Sequence, residues 1–171
     1  MSQADKLRVA SSNTFDGIVS HKIAAALYRI RNGHPEILVK TAATIYDVSN
    51  PGSRFNLLQG DVDPHNDKLG YNAYTMMLRD YGLDDSAVQL MEVIPEPFLD
   101  KLKSSVAIRR KGFHMTSTRY VKMKLVNPDA DPEGKGPYTW LTPPDVARFT
   151  QDYRATTITE VLGRFDFQLP A

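Results

Sequence analysis

The stretch "LQGDVDPHNDKLGYNAYTMMLRDYGLD", Leu58–Asp84, decides how this chain is read. A glycine, a run of aspartates and an amphipathic segment follow one another. Carboxylates are hard oxygen ligands for divalent cations, and a metal held beside a phosphate can polarise a phosphoryl oxygen or activate water. The same residues also have a structural use, because aspartate closes turns and caps helices. Ala73, Met76 and Met77 follow Leu69 at +4, +7 and +8, which places them on one face of a helix running from about Asp67 to Tyr81. Asp67 stands where a cap belongs and Gly82 where the helix should end.

The flanking segments supply a sheet. "KIAAALYRI", Lys22–Ile30, is an apolar run that stops at Asn32-Gly33, a strong hairpin signal, and "EILVK", Glu36–Lys40, is the return strand. "AVQLMEVIP" reads as a strand ended by proline, and "FLDKLKSSVAIRRKGF" as either helix or loop plus strand. In "STRYVKMKLV", Tyr120, Lys122 and Lys124 alternate with Val121, Met123 and Leu125, the period of a half-buried strand with one basic face. "NPDADPEGKGP" is a loop, and "YTWLT" a short strand stopped by Pro143-Pro144. Ile158, Val161, Leu162 and Phe165 form the apolar face of a last helix. Strands on both sides of a central helix, with another helix at the end, give an α/β fold with helices covering a mixed sheet.

With 171 residues, 42% hydrophobic and 24% charged, the chain has the size and balance of one folded domain. Residues 1–13 read as an N-terminal arm and 14–171 as the domain. The chain has no cysteine, which removes disulfides, thiolate nucleophiles and cysteine zinc sites. Its histidines are scattered, so any metal would rest mainly on carboxylates. No run reaches the roughly 20 apolar residues of a membrane span, and the N-terminus lacks the apolar core of a signal peptide; a cytosolic or nuclear location is expected.

Net charge is only +1, but it is segregated. Pro51–Asp100 carries nine acids against three bases (Arg54, Lys68, Arg79), whereas Lys101–Lys124 carries eight bases and no acid. A basic segment of this kind suits phosphate and equally suits a solvated surface or an acidic protein partner.

The Leu58–Asp84 stretch resembles a Nudix box: a glycine, five residues, a glutamate, seven residues, Arg-Glu, an apolar residue, one more, Glu-Glu, one more, and a glycine. Aligned on Gly82, Asp67 lies near the first glutamate, Thr75-Met76 replace Arg-Glu, and Arg79-Asp80 replace the paired metal-binding glutamates. The resemblance thus implies a Nudix-type α/β/α sandwich whose box has lost its catalytic glutamates, with no catalytic residue, metal or cofactor. "HKIAAALYRIRNGHPEILVK", "FNLLQGDVDPHND", "FHMTSTRYVKMKLV" and "YTWLTPPDVARFTQDYRATTITEVLGRFDFQLP" together resemble one noncatalytic branch, the small Nudix-type subunits of pre-mRNA cleavage factor I.

That likeness implies a nuclear protein of messenger polyadenylation that reads single-stranded UGUA-like RNA, forms a homodimer and docks a subunit with an RNA-recognition motif. Carried over residue by residue, it points to Phe55 as a base-stacking ring with Arg54 beside it. His21 takes the place of a base-contacting arginine, Asp16 that of an acidic base reader, and Tyr153 that of a tyrosine in the loop before the last helix. Arg110 and Lys111 are the phosphate candidates, in a "RRKGF" turn. Each has a bland counterpart: Phe55 as a core aromatic, His21 and Asp16 as caps of the entering chain, Tyr153 as packing. Tyr138, Trp140 and Phe149 are an aromatic interface or part of the core. Two other functions stay open: a scaffolding Nudix-like subunit of a large RNA–protein assembly, and a metal-dependent nucleotide pyrophosphatase using relocated carboxylates.

Overall fold

The computed structural model describes residues 18–41, 55–67, 71–102, 114–150 and 155–168. Its organising element is a hairpin. β1 (Ile18–Arg31) and β2 (His34–Thr41) are joined by Asn32 and Gly33, both at positive φ (53° and 78°). That is the two-residue turn whose twist matches the strands it connects. β3 (Phe55–Asp61) then inserts where the hairpin opens: its first residues pair with the end of β2 and its last with the start of β1.

The chain continues through α1 (Tyr71–Asp80), β4 (Val88–Val93), β5 (Phe98–Leu102), β6 (His114–Leu125), β7 (Tyr138–Leu141), α2 (Pro143–Phe149) and α3 (Ala155–Arg164). β6 runs parallel to β1 and antiparallel to β4 and β5, so the seven-stranded sheet is mixed, in the order β4-β6-β1-β3-β2-β7 with β5 also on β6. Helices cover both faces, the expected α/β sandwich.

Strand alternation sorts the apolar side chains into two cores. Ile23, Ala25, Leu27, Leu38 and Leu58 pack with Ala73, Met77 and Leu78 of α1. Ala24, Ala26, Val39, Phe55 and Leu57 pack with Val146, Phe149, Ile158, Val161, Leu162 and Phe165 on the other face. Full burial of each valine, leucine, isoleucine, methionine or phenylalanine among them contributes about 1.5–3 kcal/mol.

Several expectations are corrected here. α1 is described from Tyr71 on, with Leu69 of the expected apolar face outside the described residues, and Met76, expected on that face, is 60% exposed while Met77 and Leu78 turn inward. The Tyr120–Lys122 side of β6 is no solvent face: Tyr120 is fully buried, and Lys122 Nζ donates to the Phe165 carbonyl at 2.7 Å beneath α3. There the Lys122 ammonium also lies over the rings of Tyr28 and Phe167, a cation–π arrangement. Pro143-Pro144 starts a helix instead of only ending a strand. Thr142 caps α2, and proline at the first helical positions loses no hydrogen bond. Phe98–Leu102 is strand, so the loop-plus-strand reading holds for that part of its segment, and residues 103–113 lie outside the described ones.

Trp140 and Phe149 are core residues and Tyr138 packs against the α1-side core, edge-on to Tyr81. The loop before β7 is tied down by Arg29. It pairs with Glu36 and Asp131, both at 2.9 Å, and lies 4.3 Å from the centre of the Trp140 ring, whose Nε1 donates to Asp131. No helix among the described residues is long and apolar enough to cross a membrane.

Candidate functional site

The glycine, acids and helix of the decisive stretch come together as a brace between α1 and β3. Gly60 lets the helix close on the strand: a Cβ there would stand 3.2 Å from Met77 Cβ and 3.4 Å from the Ala73 carbonyl oxygen. Each aspartate of the turn has a structural partner. Asp61 pairs with Lys22 at 2.8 Å. Asp63 accepts from the His65 N–H at 3.0 Å and from Asn66 Nδ2 at 2.8 Å, and these bonds, the Asn66 amide above all, hold its carboxyl below the ordinary aspartate range. Asp67 accepts from the N–H groups of Asn72 and Ala73 at 3.2 and 2.8 Å, two of the donors that a helix start leaves without intrahelical partners.

At the other end Gly82, at φ 72°, donates to the Arg79 carbonyl while Leu83 donates to that of Leu78. This paired closure favours glycine in the left-handed conformation. The outward face of α1 carries Tyr71, Asn72, Thr75, Met76, Arg79 and Asp80. Among the described residues, no group of three or more histidines, aspartates or glutamates is gathered where it could hold a metal ion.

Beside this brace lies a cavity of about 270 Å³, lined by Lys22, Lys40, Asn56, Gln59, Asp61 and Tyr81 together with Leu57 and Gly60. Lys40 and Asn56 face each other across β2 and β3, and alternation with Leu38 and Leu58 puts both on the α1 side of the sheet. Tyr81 is committed to the fold: its hydroxyl donates to the Gln59 carbonyl and accepts from the Gln59 N–H, both at 3.2 Å. Burial pushes this phenol above its ordinary value. Asn56 Oδ1, in contrast, is buried with no hydrogen-bond partner.

Of the residues singled out in the sequence, His21 and Phe55 lie within the described part. Asp16, Arg54, Arg110, Lys111 and Tyr153 lie outside it. His21 is partly exposed, sits opposite Ser117 in the β1–β6 pairing, and accepts the Val62 N–H on its carbonyl at 2.8 Å. Phe55 is a core residue, 3% exposed, with its ring edge-on to Phe149 at 6.5 Å between centres. A stacking ring needs an open face, and this one is covered, so the bland reading of Phe55 describes its place here. Apart from Gly60 and Asp61 of the box, the cavity residues stand in no recognisable local pattern, because they come from three strands and a turn.

No family model matches this chain, and no curated protein matches it. Solved structures do. The Ap4A hydrolase of C. elegans superposes with a TM-score of 0.59 at 17% identity, covering 86% of this chain and 98% of that one. A possible asymmetric diadenosine tetraphosphate hydrolase from Jonesia denitrificans gives 0.55 at 15% identity, covering 90% and 98%. A mutT/nudix family protein from Listeria innocua gives 0.52 at 13% identity, covering 86% and 94%. At these identities the likeness is one of fold, and it settles the architecture: this chain has a Nudix-hydrolase-like fold.

Proposed function

We propose that this chain is a noncatalytic Nudix-type module that binds single-stranded RNA. The observation that carries the noncatalytic half is the engagement of the box acids. Asp61, Asp63 and Asp67 are held by an ion pair, a turn and a helix start, and α1 presents Met76 and Arg79 where the family's chemistry needs glutamates. Arg79 would repel a divalent cation, and Asp80 is a single carboxylate. The solved neighbours named as Ap4A hydrolases share the fold, but this helix lacks the carboxylates for that reaction.

The RNA half is supported by the cavity, which offers the Lys40 ammonium group and the Asn56 amide, groups of the kind that contact phosphates and base edges. The bases from Lys101 to Lys111 support it as well, whereas Lys122 is taken up by the Phe165 carbonyl. In this reading the protein works in messenger 3′-end formation in the nucleus, as a homodimer beside a subunit with an RNA-recognition motif. His21 is the base-contacting candidate that the described residues retain.

The test is binding of purified protein to short RNAs with and without UGUA, at two salt concentrations. We expect a preference for UGUA that survives the higher salt and falls in His21→Ala. Equal binding to all sequences that salt removes would reject specific readout. No binding to any RNA would leave the scaffolding role in its place. Magnesium-dependent cleavage of diadenosine tetraphosphate, lost in Asp80→Asn, would overturn the noncatalytic half.

A further inference from the structure

At the β4 edge of the sheet, apolar side chains and backbone groups stay open to solvent. β4 ends the strand order with β6 as its neighbour, and β5 continues the same edge along the first half of β6. Leu90 stands opposite Met123, Val93 opposite Val121 and Leu99 opposite Ser117, so alternation puts all three on the α1 side of the sheet. α1 does not cover them: they are 48%, 43% and 41% exposed.

The backbone is open in the same places. The Ile94 N–H donates to the Tyr120 carbonyl at 3.0 Å, and the Val126 N–H to the Ala87 carbonyl at 2.9 Å. In an antiparallel pair, residues bonded to the partner alternate with residues whose N–H and C=O face away from it. Counted from both ends, across the irregularity between Leu90 and Glu92, the outward-facing residues are Val88, Leu90 and Val93. Pro95 and Pro97 come only after this window. An edge with free main-chain groups and apolar side chains is a template for one more strand.

Charge decides which strand. From Asp84 to Asp100 the chain has five acids and no base. Asp84 is engaged by Ser86, Glu96 by Arg164 and Asp100 by Thr157. Glu92 is exposed and stands opposite Lys122, whose ammonium is committed to the Phe165 carbonyl. Among the described residues no cation pairs with Glu92. Two copies joined edge to edge would bring acids against acids, which is unfavourable across a strand pair. A strand with apolar residues on one face and lysine or arginine on the other matches both sides of β4.

We infer that β4 is a docking strand for an extended segment of a partner protein in which apolar and basic residues alternate. The segment pairs with Val88–Val93, its apolar side chains covering Leu90 and Val93 and its basic ones meeting Glu92. This goes beyond the RNA reading and does not rest on it, because no residue of the cavity takes part.

The experiment titrates the full chain with short labelled peptides and follows fluorescence anisotropy and backbone hydrogen exchange. One peptide alternates valine with lysine and another valine with glutamate, and a third has the valines and lysines of the first in separate blocks. Val93→Pro and Glu92→Lys are tested alongside, with thermal unfolding of each variant. Proline at 93 removes an outward N–H and leaves the β4–β6 bonds in place, the setting in which an edge strand accepts it. Glu92 is exposed, so its replacement leaves the core untouched.

We expect the valine–lysine peptide to bind and to slow exchange at the Leu90 and Val93 amides, with Ile94, already bonded to Tyr120, changing least. Affinity should fall about tenfold in Val93→Pro, the size of one lost hydrogen bond, and about fivefold in Glu92→Lys, where attraction turns to repulsion. Equal binding of the glutamate peptide would overturn the basic partner. Equal binding of the block peptide, or unchanged exchange at Leu90 and Val93, would overturn strand addition, and no binding of any peptide would overturn the inference outright. Dimerisation in sedimentation that Val93→Pro abolishes would give the edge to a second copy instead. Peptide affinity that rises in Arg8→Glu would give it to the chain's own Lys6–Val9, which alternates in the same way, and would overturn a separate partner.

Discussion

Two adjoining regions, the Gly60–Gly82 brace and the cavity beside it, use polar residues in opposite ways. In the brace every aspartate of the turn has a local partner: Lys22 for Asp61, Asn66 for Asp63, the first N–H groups of α1 for Asp67. In the cavity, Asn56 Oδ1 lacks one and Lys40 faces no carboxylate among the described residues. Polar groups fully engaged at home stabilise a fold, whereas those left over are available to a ligand. The region that looks like a reaction centre in sequence is thus the structural one, and the region without a motif is the one open to chemistry.

If this contrast is right, substitutions in the brace cost stability and those in the cavity do not. The largest effect is expected from Gly60→Ala. Its methyl group would meet Met77 and the Ala73 carbonyl at 3.2 and 3.4 Å, and prying the helix from the strand costs about 2 kcal/mol. In a chain of this size that is a fall in Tm of roughly 4–8 °C. An unchanged Tm in a calorimetric scan would show that α1 is held loosely on β3. Asp67→Ala comes next. Removing the acceptor of two helix-start N–H groups costs about 1 kcal/mol, or roughly 2–4 °C. Asp67→Asn should recover most of it, because an amide oxygen still accepts. A loss equal to that of the alanine variant would mean that charge, not capping, is what matters.

Asn56→Leu should behave the other way. It removes a buried acceptor that has no donor, so urea unfolding should show stability unchanged or raised by up to about 1 kcal/mol. A marked fall would mean that Asn56 serves the fold after all, and would dissolve the contrast.

How far the sequence could be read follows the same division. Asn32-Gly33, Asp67 and Gly82 were legible because each answers a local backbone requirement, a positive φ or an orphan N–H. The apolar face of α3 was legible because four residues at helical spacing all point inward. Met76 misled because it borders the apolar stripe, and periodicity cannot say how wide the covering sheet is. Lys122 misled because strand alternation does not reveal that α3 will cover the charged side. Pro143-Pro144 has two meanings, strand end and helix start, and Thr142 before it was the clue to the second. The cavity was illegible, since Lys22, Lys40 and Asn56 meet only after β3 inserts into the hairpin.

The finest probe of the brace is the titration of Asp63. Its carboxyl is held low chiefly by the Asn66 side-chain amide, with the His65 N–H adding to it. A carboxylate whose folded pKa lies below its unfolded one lends stability that is present above the unfolded value and is lost as pH falls through the folded value. Asn66→Ala removes the main cause, so the folded pKa of Asp63 should rise toward the ordinary range and the stability that this carboxylate loses on the acid side should shrink. Carboxyl-carbon NMR of the two proteins from neutral pH to the acid limit measures this directly. The shift should be confined to Asp63, with Asp84 left low by its own partner Ser86. An Asp63 titration that the variant leaves in place would mean that the turn is closed by backbone geometry alone.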